Sequence, residues 1–238
     1  MSLNCIAVIP AAGSGSRLRQ ITGGSSKLLF KLLTPVGERS LLFISVQRLL
    51  ESELFSGVVV ACSQTNLDEC KQELAPLCVG TIPVDFVIGG HTRQESVFRA
   101  LEHLENRNIS HVAIHDAARP FVSIQALREV VAKGQETGAA ILVERINSTL
   151  KRLSPKSEIV ETFPRTEFTL AQTPQVFDYN LIFNAHQEGA KANFVATDDS
   201  QLVERLGIEP RAVVNKSLNP KVTEPADLEL ATFLANRI

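Results

Sequence analysis

Small residues followed by a cation mark the first place where this chain could do chemistry. "PAAGSGSRL" (Pro10 to Leu18) follows an apolar run, and Lys27 stands ten residues beyond Arg17. Between a strand and a helix, such residues let backbone N–H groups approach an anion, and the helix start adds partial positive charge. The geometry suits phosphate. A dinucleotide fingerprint would need a third glycine near Leu18 and an acidic residue closing the second strand, which ends instead in "ACSQ". A P-loop would need Lys and Ser or Thr directly after its last glycine, where Ser16 and Arg17 stand. What remains is a backbone cradle at Gly13 and Gly15 furnished with Arg17 and Lys27; a plain strand-to-helix turn is the alternative. At about 4 Å and an effective dielectric near 20, one opposite charge is worth about 4 kcal/mol, enough to matter when one anion must attack another.

Four further segments carry polar chemistry. In "IGGHTRQESV", Gly89 and Gly90 would let a base and ribose lie against backbone, with Ser96 supplying a hydroxyl; a turn with a helix cap reads almost as well. In "AIHDAARPF", Asp116 and Arg119 fall at the carboxyl end of a buried strand, where open α/β sheets bind ligands. Asp116 would take a ribose hydroxyl or a water of a bound magnesium ion, Arg119 would reach a phosphate, and His115 reads as a structural histidine. An Asp–Arg pair tying strand to loop is the alternative there. "LAQTPQVF" and "NPKVTEPADL" read as polar turns stiffened by proline, holding Thr173, Lys221 and Thr223 toward a phosphate or polyol; capping of the last helix is the other reading of Thr223.

The elements that position these clusters follow from hydrophobic rhythm. Short β-branched runs at "CIAVIP", "GVVVACS", "VDFVIGG", "HVAIHD" and "AAILVE" alternate with amphipathic stretches, which predicts a mostly parallel sheet covered on both faces. In "SLLFISVQRLLESEL", Leu42, Val46, Leu49 and Leu50 share one helical face, opposite Gln47, Arg48 and Glu51. From Thr149 to Thr169 the rhythm changes to polar, alternating segments around "SPKSE", a hairpin projecting from the domain either onto a second subunit or into solvent. Helical patterning returns in "NLIFNAHQEGA", "SQLVERLG" and a last helix from Pro225 to about Arg237.

With 24 Lys plus Arg against 26 Asp plus Glu, the net charge of −2 provides no general attraction to nucleic acid or an anionic membrane. The 4 cysteines include no CxxC pair, which fits a reduced, cytoplasmic compartment. No apolar run approaches the roughly 20 residues of a membrane span, and no targeting segment is seen, so a soluble, bacterial-type cytoplasmic protein is expected.

Taken in order, "PAAGSGSRL", "GGHTRQESV", "HDAARP", "STLKR", "AQTPQVF", "TDDS" and "NPKVTEPADL" resemble the 2-C-methyl-D-erythritol 4-phosphate cytidylyltransferase family along essentially the whole chain. The resemblance implies one nucleotidyltransferase domain over 1–238, with a Rossmann-like, mostly parallel twisted sheet, helices on both faces and a β-arm at about 147–170 for homodimerisation. It implies CMP transfer from CTP to methylerythritol phosphate with release of pyrophosphate, in the non-mevalonate route to isoprenoid precursors. Ala11, Ala12, Gly13, Gly15, Arg17 and Lys27 would hold the CTP triphosphate, Arg17 and Lys27 being the catalytic cations. Gly89, Gly90, Ser96 and Asp116 would contact cytosine and ribose. Arg119, Thr149, Thr173, Thr197 and Lys221 would bind methylerythritol phosphate, with Arg165 entering the partner's site from the arm. Mg2+ would be held by CTP phosphates rather than by direct protein ligands, Asp116 reaching it through water at most. The chain departs from the family in three places: "QITGGSSKLLF" lengthens the gap before Lys27 and implies a mobile lid, His91 replaces an acidic residue, and Leu218 replaces an acidic group before Asn219-Pro220-Lys221. A cytidylyltransferase for another polyol phosphate such as ribitol 5-phosphate, or a non-catalytic nucleotide-binding module, stays open on the same residues.

Overall fold

A computed structural model describes residues 4–12, 34–224 and 226–237. In chain order the elements are β1 (Cys5–Ala11), β2 (Pro35–Val36), β3 (Arg39–Ser40), α1 (Leu41–Glu51), β4 (Gly57–Cys62), α2 (Leu67–Leu74), β5 (Val84–Ile88) and α3 (Arg93–His103). There follow β6 (His111–Ile114), α4 (Ile124–Thr137), β7 (Ala139–Arg145), β8 (Leu150–Leu153), β9 (Ile159–Phe163), β10 (Thr169–Asp178), α5 (Tyr179–Lys191), α6 (Asp199–Glu204), β11 (Arg211–Val214) and α7 (Ala226–Ala235).

The five expected β-branched runs form the frame of a seven-stranded sheet ordered β11-β7-β10-β6-β1-β4-β5. Because β1 is covered on both faces, its alternate residues enter different cores. Cys5, Ala7 and Ile9 pack with Leu42, Val46 and Leu49 of α1 and with Leu127, Val130 and Val131 of α4. Ile6 and Val8 turn the other way, toward Val97, Ala100 and Leu101 of α3, Ile182 of α5 and Leu202 of α6. Each such fully buried aliphatic side chain is worth about 1.5–3 kcal/mol relative to exposure. A strand buried on both sides thus reads as a continuous apolar run, as β1 and β4 do.

Two elements depart from the expectations. "LAQTPQVF" is a strand, not a turn: β10 lies antiparallel between β6 and β7, pairing Gln175 with Ile114 on one side and with Ile141 on the other. The register shifts between Ala171 and Gln175, and the Thr173–Pro174 peptide is cis. A proline inside a central strand argues against that assignment unless a bulge absorbs it, as here. The second is β11, an edge strand pairing in parallel with β7 over Arg211–Val214. The hairpin, by contrast, forms as expected: among the described residues β8 and β9 pair only with each other.

His115, completely buried just past β6, ties this strand to β10. Its Nε2–H donates to the Arg119 carbonyl at 3.0 Å, and its Nδ1 accepts from the Thr173 hydroxyl at 3.1 Å. Thr173 Oγ1 in turn accepts the Asp116 N–H at 3.0 Å. Burial pushes the imidazole down to about 4, so it is neutral in the fold. An unfolded histidine titrates near 6.5, so between those values the unfolded chain binds a proton that the fold refuses; stability is full above the upper value and falls as the pH drops toward 4. Urea unfolding from pH 6.5 to 4 should show the wild type losing up to about 1.4 kcal/mol per pH unit more than a His115→Gln variant, and parallel slopes would refute this account.

Candidate active site

Because β1, β4, β5 and β6 are mutually parallel, the segments after their carboxyl ends share one edge of the sheet. There the structure brings Ala12, which follows β1, against Gly89, which follows β5. A Cβ on Gly89 would sit 2.6 Å from the Ala12 Cβ and 2.8 Å from Ser96 Oγ, so only glycine lets the two segments meet. A Cβ on Gly90 would meet the Glu95 Cβ at 2.3 Å. Ser96 Oγ accepts the Gly90 N–H at 3.1 Å and donates to the Thr92 carbonyl at 2.7 Å, and Thr92 caps α3. Gly89, Gly90 and Ser96 therefore form one rigid lip, its hydroxyl already engaged with backbone. Ala11 and Ala12 border it, whereas Gly13, Gly15, Arg17 and Lys27 lie outside the described residues.

Across the same edge stands a buried carboxylate between two cations. Arg93 Nε donates to Asp116 Oδ1 at 2.9 Å, and Lys221 Nζ lies 2.6 Å from Asp116 Oδ2. Burial alone would raise the Asp116 carboxyl; the Arg93 and Lys221 charges outweigh it and hold the group well below the usual carboxylate range. Asp116 is thus held as an anion, and a buried charge stripped of its partner typically costs about 3–5 kcal/mol. Arg93 carries a second carboxylate: its Nη1 meets Asp199 Oδ2 at 2.7 Å, and Asp199 Oδ1 takes the His186 Nε2 at 3.2 Å.

Lys221 is delivered by the coil between β11 and α7. The Val222 N–H donates to the Ala118 carbonyl at 2.8 Å, so this coil lies along the turn that follows Asp116. Arg119 does not pair with Asp116; its Nη1 donates to the Asn219 carbonyl at 2.7 Å and its Nη2 reaches the Ala171 carbonyl at 3.4 Å. Asn219 Nδ2 donates to the Thr173 carbonyl at 2.9 Å. Gln172, buried in β10, accepts from Asn215 and donates to Glu144. Beside this network opens a cavity of about 590 Å³ whose rim includes Arg145, Lys216 and Asn219.

The remaining candidates spread outward. Thr149 is exposed at the root of the hairpin. Arg165 donates to the Asn147 carbonyl, folding the hairpin's return onto its start. Thr197 precedes α6 with its N–H on Gln201 Oε1 at 2.8 Å. Thr223 serves the last helix, its hydroxyl donating to Asp227 at 3.0 Å. The structure therefore gathers Ala12, Gly89, Ser96, Asp116, Thr173 and Lys221 along one edge and leaves Thr149 and Arg165 on the arm. Sequence reasoning missed the Arg93–Asp199 link and buried His186; the available signal was the arginine in "GGHTRQESV" and the acidic pair in "TDDS".

Among the described residues, no helix is long and apolar enough to cross a membrane. A sequence profile of the 2-C-methyl-D-erythritol 4-phosphate cytidylyltransferase family matches residues 5–237. An enzyme of that name from Solibacter usitatus is 35% identical over 232 residues, covering 94% of this chain and 92% of the relative. A namesake from Bacillus velezensis is 35% identical over 229 residues, 95% and 93% of the two chains. The crystal structure of the Thermus thermophilus enzyme superposes with a TM-score of 0.77 at 32% identity, covering 99% of this chain and 100% of that one. The 4-diphosphocytidyl-2C-methyl-D-erythritol synthase from Anaerococcus prevotii superposes with a TM-score of 0.84 at 25% identity, covering 99% and 97%. From the glycine-lipped edge to the last helix, this chain belongs to the 2-C-methyl-D-erythritol 4-phosphate cytidylyltransferase family.

Proposed function

We propose that this protein transfers CMP from CTP to 2-C-methyl-D-erythritol 4-phosphate, giving 4-diphosphocytidyl-2-C-methyl-D-erythritol and pyrophosphate, a step of the non-mevalonate route to isoprenoid precursors. The observation that carries this reading is the match of the family profile to residues 5–237. A phosphate oxygen of the acceptor attacks the α-phosphorus of CTP; the new P–O bond forms as the α–β bridging P–O bond breaks and pyrophosphate leaves. No covalent enzyme intermediate is required, and acceleration comes from positioning and charge.

In this reading Ala11, Ala12, Gly13 and Gly15 cradle the triphosphate, and Gly89, Gly90, Ser96 and Asp116 receive the nucleoside. Arg17 and Lys27 offset charge on the α-phosphate and the departing pyrophosphate. Lys221, Thr173 and Thr197, with Arg119, serve the polyol phosphate end. Among the described residues no three His, Cys, Asp or Glu side chains converge, and both Asp116 oxygens carry a cation. In this reading a divalent ion, Mg2+, would be held by the CTP phosphates, with Asp116 reaching it only through water. When bound, such an ion neutralises phosphate oxygens.

A homodimer built through the β8–β9 arm completes the proposal. An isolated two-stranded hairpin is marginal in water, and this one exposes Leu153, Ile159 and Val160, with Phe168 and Leu170 beside its base. Burial against a second copy would remove that apolar surface and carry Thr149 and Arg165 toward the neighbouring site. A cytoplasmic setting accords with free Cys5, Cys62 and Cys70 buried in the core.

Three measurements test this reading. Pyrophosphate release from CTP should proceed with methylerythritol phosphate and stay at background with ribitol 5-phosphate; the reverse preference would move the protein to another polyol. Arg17→Ala or Lys27→Ala should lower turnover by about a hundredfold or more while the acceptor KM changes less than about threefold, each lost donor to the developing charge being worth about 2.7–4 kcal/mol. Mixing inactive Arg165→Ala and Lys221→Ala proteins should restore activity in verified heterodimers, since one of the two sites then holds both side chains; no recovery would place Arg165 within its own subunit.

A further inference from the structure

Asp116 and Lys221 touch each other at 2.6 Å, yet neither is held by its own element alone. Asp116 leaves β6 on a turn, and Lys221 sits in coil on a long side chain that is 42% exposed. What fixes the pair comes from behind. Arg93, at the first turn of α3, presents Nε to Asp116 and Nη1 to Asp199, using two different edges of one planar guanidinium. Asp199, at the start of α6, is 1% exposed and has both oxygens committed, one to Arg93 and one to His186. His186, on α5, is equally buried, and its ring stacks on Phe98 of α3 with centroids 5.9 Å apart and planes 8° from parallel. The row Lys221–Asp116–Arg93–Asp199 thus alternates charge from the open edge of the sheet inward, and His186 ends it within the packing of α3, α5 and α6.

Packing offers no simpler reason for this row. A buried ion pair is weak evidence of stability, since well-packed apolar residues of equal volume often do as well or better. A guanidinium fork fixes geometry as well as charge, because both of its bonds must be satisfied in one plane. With Oδ1 taken by Arg93, Asp116 has Oδ2 left for Lys221, and the lysine ammonium is drawn to one place.

We propose that Arg93 and Asp199 are positioning residues of the cytidylyltransferase site: Asp199, anchored by His186, orients the Arg93 fork, and Arg93 aims Asp116 so that Lys221 is held for the polyol phosphate. This rests on the functional reading given above. Neither residue needs to touch substrate. A lysine at 93 keeps the charge but replaces the rigid planar fork with a point donor on a flexible stem, so charge and geometry are separable.

The test is steady-state kinetics of the full chain with CTP and methylerythritol phosphate, together with crystal structures of the variants. Arg93→Lys and Asp199→Asn should each raise the acceptor KM about tenfold, with kcat within about threefold of wild type and a smaller change in the CTP KM. The crystals should show Lys221 withdrawn from Asp116 beyond hydrogen-bond distance. His186→Gln, which keeps a donor for Asp199, should preserve the acceptor KM, whereas His186→Leu should raise it as Asp199→Asn does. A purely structural role would instead lower the melting temperature and the active fraction, reducing apparent kcat at constant KM, and that result overturns the proposal. So does an unchanged Asp116–Lys221 contact in the Arg93→Lys crystal. If wild-type protein releases no pyrophosphate with methylerythritol phosphate, the functional reading falls instead, and the Asp116–Lys221 separation in the variant crystals decides the positioning claim alone.

Discussion

A carboxylate buried at the edge of a sheet needs cations, and Asp116 draws them from opposite directions in the chain. Arg93 reaches it from the segment after β5, and Lys221 from the coil after β11. Unpaired, such a charge is expensive to bury; paired twice, it becomes the point at which three otherwise independent segments are registered against one another. The turn after β6 is held on its other side by Thr173, which accepts the Asp116 N–H, and by the bond from Val222 to the Ala118 carbonyl. The edge of the sheet that carries the candidate site is thus assembled around one negative charge.

The antiparallel strand β10 makes that assembly possible. Its middle residues Gln172, Thr173 and Gln175 are polar and buried, an arrangement tolerated only when each finds a partner. They do: Gln172 meets Glu144, Asn215 and Asn219, Thr173 meets His115 and Asp116, and Gln175 meets Asp198 and Ser200. This interior strand of the sheet is therefore also a distribution rail. It fixes the turn after β6, the coil before α7 and the start of α6, each from a different side chain. An apolar strand would pack as well and would hold none of them.

Much of the candidate site was legible residue by residue. Gly89 and Gly90 read as points where a base and ribose could lie against backbone, with a turn and helix cap as the alternative; in space their missing side chains make room for Ala12 and Glu95. His115 was readable as structural because no ligand cluster accompanied it, and both its ring nitrogens are indeed satisfied within the fold. β10 was not legible. A proline and three polar residues within eight positions imitate a loop, and only the bulge that absorbs Pro174 and the partners waiting on neighbouring elements make it a strand. Arg93 and Asp199 escaped notice for a related reason: their partners lie 23 and 106 residues from Arg93, and no local pattern records so distant a pairing.

What the amino-acid order determined unaided is whatever depends on neighbours along the chain. That includes the continuous apolar runs of the parallel strands, the amphipathic faces of the helices, the hairpin around "SPKSE" and the small residues where backbone must come close. Tertiary structure alone decided which polar groups share a charge and which strand fills the gap between β6 and β7. Those choices turn on desolvation: a buried carboxylate or amide accepts whatever donor the folded chain brings within about 3 Å, and that distance exists only after the sheet has closed.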